Sequence, residues 1–245
     1  MDIIASNKVA LIVGAGDALG GAIARRFARE GYISCIARRN LDKLAPLAQA
    51  IIDAGGTAHP FALDARREEE VVALMERIEA EIGPIEAVVF NVGGNVSFPI
   101  VETTSRVFFK TWQMACFAGY LTGREAARHM LPRGHGSIFF TGATASLRGR
   151  ANFAAFASAK AGLRATAQSM ARELGPQGIH VAHVVVDGGI DTAWMRENFP
   201  ERYKLKERQG LLNPDSIAEN YWTLHAQPRD AWTHELDLRP WIEPW

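Results

Sequence analysis

Val9-Ala-Leu-Ile-Val13-Gly14-Ala-Gly16-Asp17-Ala18-Leu19-Gly20-Gly21 decides the reading of this chain. Five apolar residues without interruption suit a strand buried on both faces of a sheet. Leu19, Ile23 and Phe27 then recur at steps of four, which marks one face of a helix over 19–30 that Gly31 ends. The glycines between them form a turn that allows backbone amides to approach an anion, and the helix N-terminus beyond adds unpaired N–H groups and partial positive charge. A glycine cluster alone marks only a tight turn; its place between a strand and a helix makes it a candidate cradle for a dinucleotide pyrophosphate.

The same alternation continues outward. Strands are predicted at 33–37, 58–63, 85–90, 137–141 and 180–186, with helices at 41–54, from 66 to Gly83-Pro84, at 105–131 and at 152–174. Strand, helix, strand in succession forces parallel pairing through right-handed crossovers. The expected fold is therefore a single α/β domain over 1–245: a doubly wound parallel sheet with helices on both faces. After Val186 the pattern breaks. Residues 190–212 read as an irregular flap or short helices, Asn213-Pro214 starts a helix to about 225, and 234–238 reads as an edge strand. Trp241 and Trp245 in the tail call for cover, for which a partner subunit is one candidate.

Composition narrows the function. Of 245 residues, 48% are hydrophobic and 22% charged, with 27 Lys plus Arg against 27 Asp plus Glu. A neutral chain lacks the basic excess of a nucleic-acid binder. No apolar run approaches the roughly 20 residues of a membrane span, and no leader pattern opens the chain. Cys35 and Cys116 have no ligand spacing and the seven histidines do not pair, so no metal site is expected. These features imply a soluble, cytoplasmic protein with a small-molecule ligand.

At the end of the second strand stands Ala37-Arg38-Arg39. An NAD site usually carries a carboxylate here for the ribose hydroxyls, whereas two guanidinium groups suit a 2′-phosphate. Unless the pair is simply solvated, this favours NADP over NAD. Asp17 weighs slightly the other way.

The order Gly14, Ala18, Gly20 resembles the turn of the short-chain dehydrogenase/reductase family, and the resemblance runs from Lys8 to about His225. Asp64 stands where that family has an aspartate near the adenine. Asn91-Val92-Gly93 is similar to its Asn-Ala-Gly, and Asp187-Gly188-Gly189-Ile190-Asp191-Thr192 to its Pro-Gly-x-x-x-Thr segment beside the nicotinamide, with Asp187 in place of proline. The resemblance implies a Rossmann fold, an NADP-dependent oxidoreductase acting on a carbonyl or enone, and a cofactor site of Gly14, Gly16, Asp17, Leu19, Gly20, Arg38, Arg39, Asp64, Asn91, Gly93, Lys160, Gly188, Ile190 and Thr192. It also implies a homodimer or homotetramer joined through the two long helices.

The same resemblance exposes a gap. In the family a tyrosine gives a proton to the substrate oxygen, a lysine four residues on assists it, a serine polarises the carbonyl, and an asparagine supports a water. Here Lys160 fills the lysine place, but Phe156 replaces the tyrosine, Ala143 the serine and Cys116 the asparagine. No tyrosine lies between Tyr120 and Tyr203, so no change of register supplies one. Thr144 and Ser146 beside Ala143, Ser158, and Tyr203 in the flap are weak substitutes. Two readings stay open: an oxidoreductase of atypical mechanism, and a cofactor-holding homologue that acts as sensor or partner subunit. Lys160 either serves the nicotinamide ribose or is a surface lysine reaching for water.

Overall fold

The computed structural model describes residues 7–244; the expectations that involve 1–6 and Trp245 lie outside the described residues. In chain order the main elements are β1 (Val9–Val13), α1 (Leu19–Arg29), β2 (Ile33–Arg38), α2 (Ala45–Asp53), β3 (Thr57–Ala62), α3 (Glu68–Glu81), β4 (Ile85–Phe90), α4 (Ser105–Trp112), α5 (Ala118–Met130), β5 (Gly136–Thr141), α6 (Ala154–Leu174), β6 (Ile179–Val186), α7 (Ala193–Asn198), α8 (Pro200–Tyr203), α9 (Pro214–His225) and β7 (Glu235–Leu238).

The strands form one sheet in the order β3-β2-β1-β4-β5-β6-β7, and every neighbouring pair is parallel. Every residue of β1, β4 and β6 is buried, as suits predominantly apolar strands covered on both faces, Glu86, His180 and His183 included. One core packs α3, α5 and α6 on one face, through Leu74, Ile78, Leu121 and Leu163. The other packs α1, α2 and α9 on the opposite face, through Ile23, Phe27, Leu47, Ile217 and Tyr221. β3 is half exposed at one edge and tolerates Pro60 there.

Two elements differ from the sequence pattern. The second helix begins at Ala45 rather than 41, because residues 42–44 take a tighter 3-10 turn and Pro46, lacking an N–H, belongs at a helix start. The predicted long helix at 105–131 is interrupted: Gln113–Phe117 winds as a wide π-type turn between α4 and α5. A single extra residue in a turn rotates the remainder of the helix about its axis, a change that apolar periodicity does not reveal. Cys116 in that turn packs against α6, its Sγ 2.9 Å from where a Cβ on Gly162 would stand.

The strand order reverses between β1 and β4. Chains leaving these two strands diverge to opposite faces, which opens a crevice at their carboxyl ends where ligands bind in such sheets.

Candidate cofactor cleft and reaction centre

The crevice is a cleft of about 700 Å³. The turn after β1 forms its floor. Gly14 has φ +89°, and a Cβ there would lie 2.7 Å from the Asn91 carbonyl oxygen. A Cβ on Gly20 would lie 2.5 Å from the Gly14 oxygen. Both positions exclude any side chain, so the backbone itself becomes the ligand surface. Asn91 completes the floor: its N–H donates to Val13 O at 2.8 Å and its Nδ2 to Gly14 O at 3.2 Å. α1 begins after Ala18 with no side-chain cap, so its first N–H groups have no intrahelical partner.

The cleft wall brings together Gly14, Gly16, Asp17, Leu19, Gly20, Arg38, Arg39, Asp64, Asn91, Gly93 and Ile190. It also includes Lys43, Arg66, Val92, Met114 and Ala118, which the sequence pattern did not single out. Lys43 and Arg66 follow β2 and β3, and their charge beside the arginine pair was the available signal. Arg38 lies over the turn, its Nη1 3.3 Å from the Cβ position of Gly16. The Arg66 guanidinium grips Asp64, with Nε 2.8 Å from Oδ1, and holds that carboxyl below its usual range. This part of the cleft thus presents Arg38, Arg39, Lys43 and Arg66 against Asp17 and Asp64, an excess suited to a phosphate.

Lys160, Gly188 and Thr192 are not on this wall. Thr192 Oγ1 accepts the Met195 N–H at 3.0 Å and caps α7. Lys160 is not a surface lysine: it is 3% exposed, and Nζ donates to Val92 O at 3.1 Å and Thr141 O at 2.8 Å. Burial pushes its ammonium down to about 8, with Cys116 opposing the shift. Val92 belongs to the cleft wall, so Lys160 adjoins that wall.

Phe156 and Cys116 are also buried, and neither they nor Ala143 line the cleft. The candidate hydroxyls are engaged elsewhere. Thr144 Oγ1 donates to Asp187 Oδ1 at 2.5 Å, Ser158 Oγ to Ala155 O at 3.0 Å, and Tyr203 Oη to Asp191 Oδ1 at 2.8 Å. Ser146 Oγ accepts the Ala143 N–H at 3.1 Å. A hydroxyl whose one proton is committed to a carboxylate has none for a substrate oxygen. Among the described residues, no group of three or more metal-ligating side chains converges, and no helix is long and apolar enough to cross a membrane.

The sequence profile described as short chain dehydrogenase matches residues 8–203. A solved short-chain dehydrogenase from Rhodopseudomonas palustris is 50% identical, with a TM-score of 0.83 over 96% of this chain and 99% of that one. A metagenomic short-chain oxidoreductase solved in complex with NADP is 25% identical, with a TM-score of 0.82 over 97% of this chain and 99% of that one. An uncharacterized oxidoreductase of Bacillus subtilis, YuxG, is 32% identical over 225 residues, covering 88% of this chain. The match spans only 32% of the longer Bacillus protein.

Proposed function

Because the chain belongs to the short-chain dehydrogenase family, whose members are NAD(P)-dependent oxidoreductases, we propose that it is an NADP(H)-dependent member of atypical mechanism acting on a small carbonyl or enone compound. The observation that carries the cofactor choice is Arg38 lying over Gly16, with no carboxylate at Ala37 to repel a 2′-phosphate. The NADP complex of the metagenomic relative supports the same choice. The glycine turn and α1 would hold the pyrophosphate, and Asn91, Gly93 and Ile190 the nicotinamide half.

When bound, the nicotinamide supplies a hydride. Lys160 has three donors, two of them engaged by Val92 O and Thr141 O, and we assign the third to a ribose hydroxyl. Phe156 and Ala143 provide neither a proton nor a polarising hydroxyl. A missing general acid costs about 10²- to 10⁴-fold, and a missing oxyanion donor about 10²- to 10³-fold. A conjugated double bond, which needs one proton besides the hydride and can take it from water, suits this centre better than a simple ketone.

The burial of Phe156 and Cys116, off the cleft wall, favours a second reading: a cofactor-holding homologue with little turnover. Mixing the protein with NADPH and a panel of carbonyls and enones, and following absorbance, separates the two. Oxidation of NADPH with any member supports the enzyme; tight NADPH uptake without turnover supports the sensor.

We also propose a homodimer or homotetramer through α4, α5 and α6. Phe109, Trp112, Phe117 and Tyr120 form an outward ladder of stacked rings 5.9 to 6.3 Å apart, with Phe109 57% exposed. A reducing compartment such as the cytoplasm accords with Cys35 and Cys116, both buried and unbridged.

A further inference from the structure

Asp187 directly follows β6 and is fully buried, yet none of the chemistry above uses it. A carboxylate stays in the interior only where donors and opposite charge replace its lost hydration. Here they come from two distant segments. From the turn after β5, Thr144 Oγ1 donates at 2.5 Å and Arg148 Nη2 reaches the two carboxylate oxygens at 3.2 and 3.1 Å. From the tail beyond β7, Arg239, which also pairs with Asp237, places Nη2 3.4 Å from Oδ2. The backbone adds a link to the strand end from which the tail leaves, since the Asp187 N–H donates to Leu238 O, the last residue of β7, at 2.8 Å. At the next residue, a Cβ on Gly188 would lie 2.6 Å from Pro240 Cδ, so tail and loop are in close contact.

Two consecutive glycines, Gly188 and Gly189, separate Asp187 from Ile190, which lines the reaction end of the cleft. Glycines give this stretch little stiffness of its own. What fixes Ile190 is therefore what anchors each side of it. On one side that anchor is Asp187. On the other, Ile190 bridges Leu212, at the end of the flap, and the tail again holds the flap. Trp241 Nε1 donates to Arg208 O at 3.1 Å, Glu243 faces Arg202 at 3.6 Å, and Ile242 Cδ1 lies 2.6 Å from the Cβ position of Gly210.

We propose that Asp187 is a positioning residue: through Arg148 and Arg239 it uses the turn after β5 and the C-terminal tail to hold residues 188–190 against the nicotinamide half of the cofactor. This rests on the cofactor reading above. The adenosine half would be held separately, by the turns after β1, β2 and β3, none of which shares a hydrogen bond or ion pair with Asp187 among the described residues. The two halves of the ligand therefore answer to different parts of the fold, and a disturbance at Asp187 affects only one.

That separation sets the test. Calorimetric titration compares NADPH with 2′,5′-ADP, which keeps the phosphorylated adenosine and lacks the nicotinamide, on wild type, Asp187→Asn and Arg239→Gln. Asp187→Asn keeps an acceptor for Thr144 and removes the charge that both arginines face. Arg239→Gln, just beyond the edge strand β7, leaves the buried carboxylate in place and keeps the question open to measurement if the Asp187 substitution does not fold. Both variants should bind NADPH about tenfold more weakly, the scale of one charge-assisted contact. Both should lose the change in nicotinamide fluorescence on binding and take up 2′,5′-ADP as wild type does. Arg239→Lys should recover part of the NADPH affinity, and the double variant should be little weaker than Asp187→Asn alone, because the two residues act as one unit. Folded variants with wild-type NADPH affinity and emission would overturn the proposal, and so would equal loss of both ligands. Wild type that takes up neither ligand would end the cofactor reading and this inference together; wild type that binds both, with variants unchanged, would end this inference alone.

Discussion

The ammonium of Lys160 lies 2.8 Å from the main-chain oxygen of Thr141, at the carboxyl end of β5, and one helical turn before it in α6 stands Phe156, whose ring has no proton to give. A buried cation thus stands one helical turn from a buried apolar ring. Its bond to the Val92 oxygen ties it to the cleft wall.

That arrangement predicts a pH dependence. Lys160 loses its proton near pH 8 in the folded protein, against 10.5 as an ordinary lysine. NADPH affinity should fall several-fold as pH rises through 8, as the charge-assisted contact to the ribose becomes a neutral one. Lys160→Met should bind more weakly at pH 7 and show no such step. Folding responds with the opposite sign: between about 8 and 10.5 the unfolded chain holds a proton that the folded chain has shed, so Lys160 adds stability as pH climbs. Titrating NADPH by fluorescence at pH 6.5 to 9.5 checks the first effect, and thermal unfolding the second.

Restoring the missing groups should restore carbonyl chemistry. Phe156→Tyr with Ala143→Ser places a phenol one helical turn from Lys160 and a hydroxyl thirteen residues before it. Ketone reduction should rise about 10²-fold or more over the parent. Absorbance of NADPH with a ketone panel gives the answer, and no gain would argue against the positions assigned to Phe156 and Ala143.

Cofactor choice should rest on Arg38. Arg38→Gln removes a guanidinium beside the phosphate turn and should weaken NADPH about 10- to 100-fold while leaving NADH within a few-fold. Parallel titrations with both coenzymes measure the ratio, and an equal effect on each would refute the phosphate contact.

Acid should destabilise the fold through its buried histidines. His183 is fully buried, with Nδ1 3.0 Å from Glu235, and burial lowers its proton affinity to about 4. The unfolded chain binds that proton near 6.5, so stability is lost as pH falls from about 6.5 towards 4, by roughly 2–3 kcal/mol for this residue. His225, also shifted to about 4, adds to the same limb. Thermal unfolding from pH 7 to 4.5 should show the fall, and His183→Asn should flatten it.

If α4 and α5 carry the subunit contact, a charge in the aromatic ladder should break it. Phe109→Glu is expected to leave the fold intact, since that ring is more than half exposed, and to yield monomers in light scattering. An unchanged mass would move the interface elsewhere.

Much of this protein was legible in the sequence because its signals are local. Unbroken apolar runs mark strands buried on both faces, four-residue steps mark helices, and Gly14 and Gly20 stand where only a bare backbone fits. That no tyrosine lies between Tyr120 and Tyr203, so that no Tyr-x-x-x-Lys ends at Lys160, was legible with no tertiary information. Which hydroxyls and charges meet was decided by tertiary structure alone. Thr144 and Arg148 join Asp187 across 43 and 39 residues, and Lys160 reaches Val92 across 68. The π turn at Gln113–Phe117 likewise left no mark in the apolar spacing. Periodicity records how each segment faces the core, but a side chain's partner depends on where distant strand ends come together, and that is set by the order of the strands across the sheet.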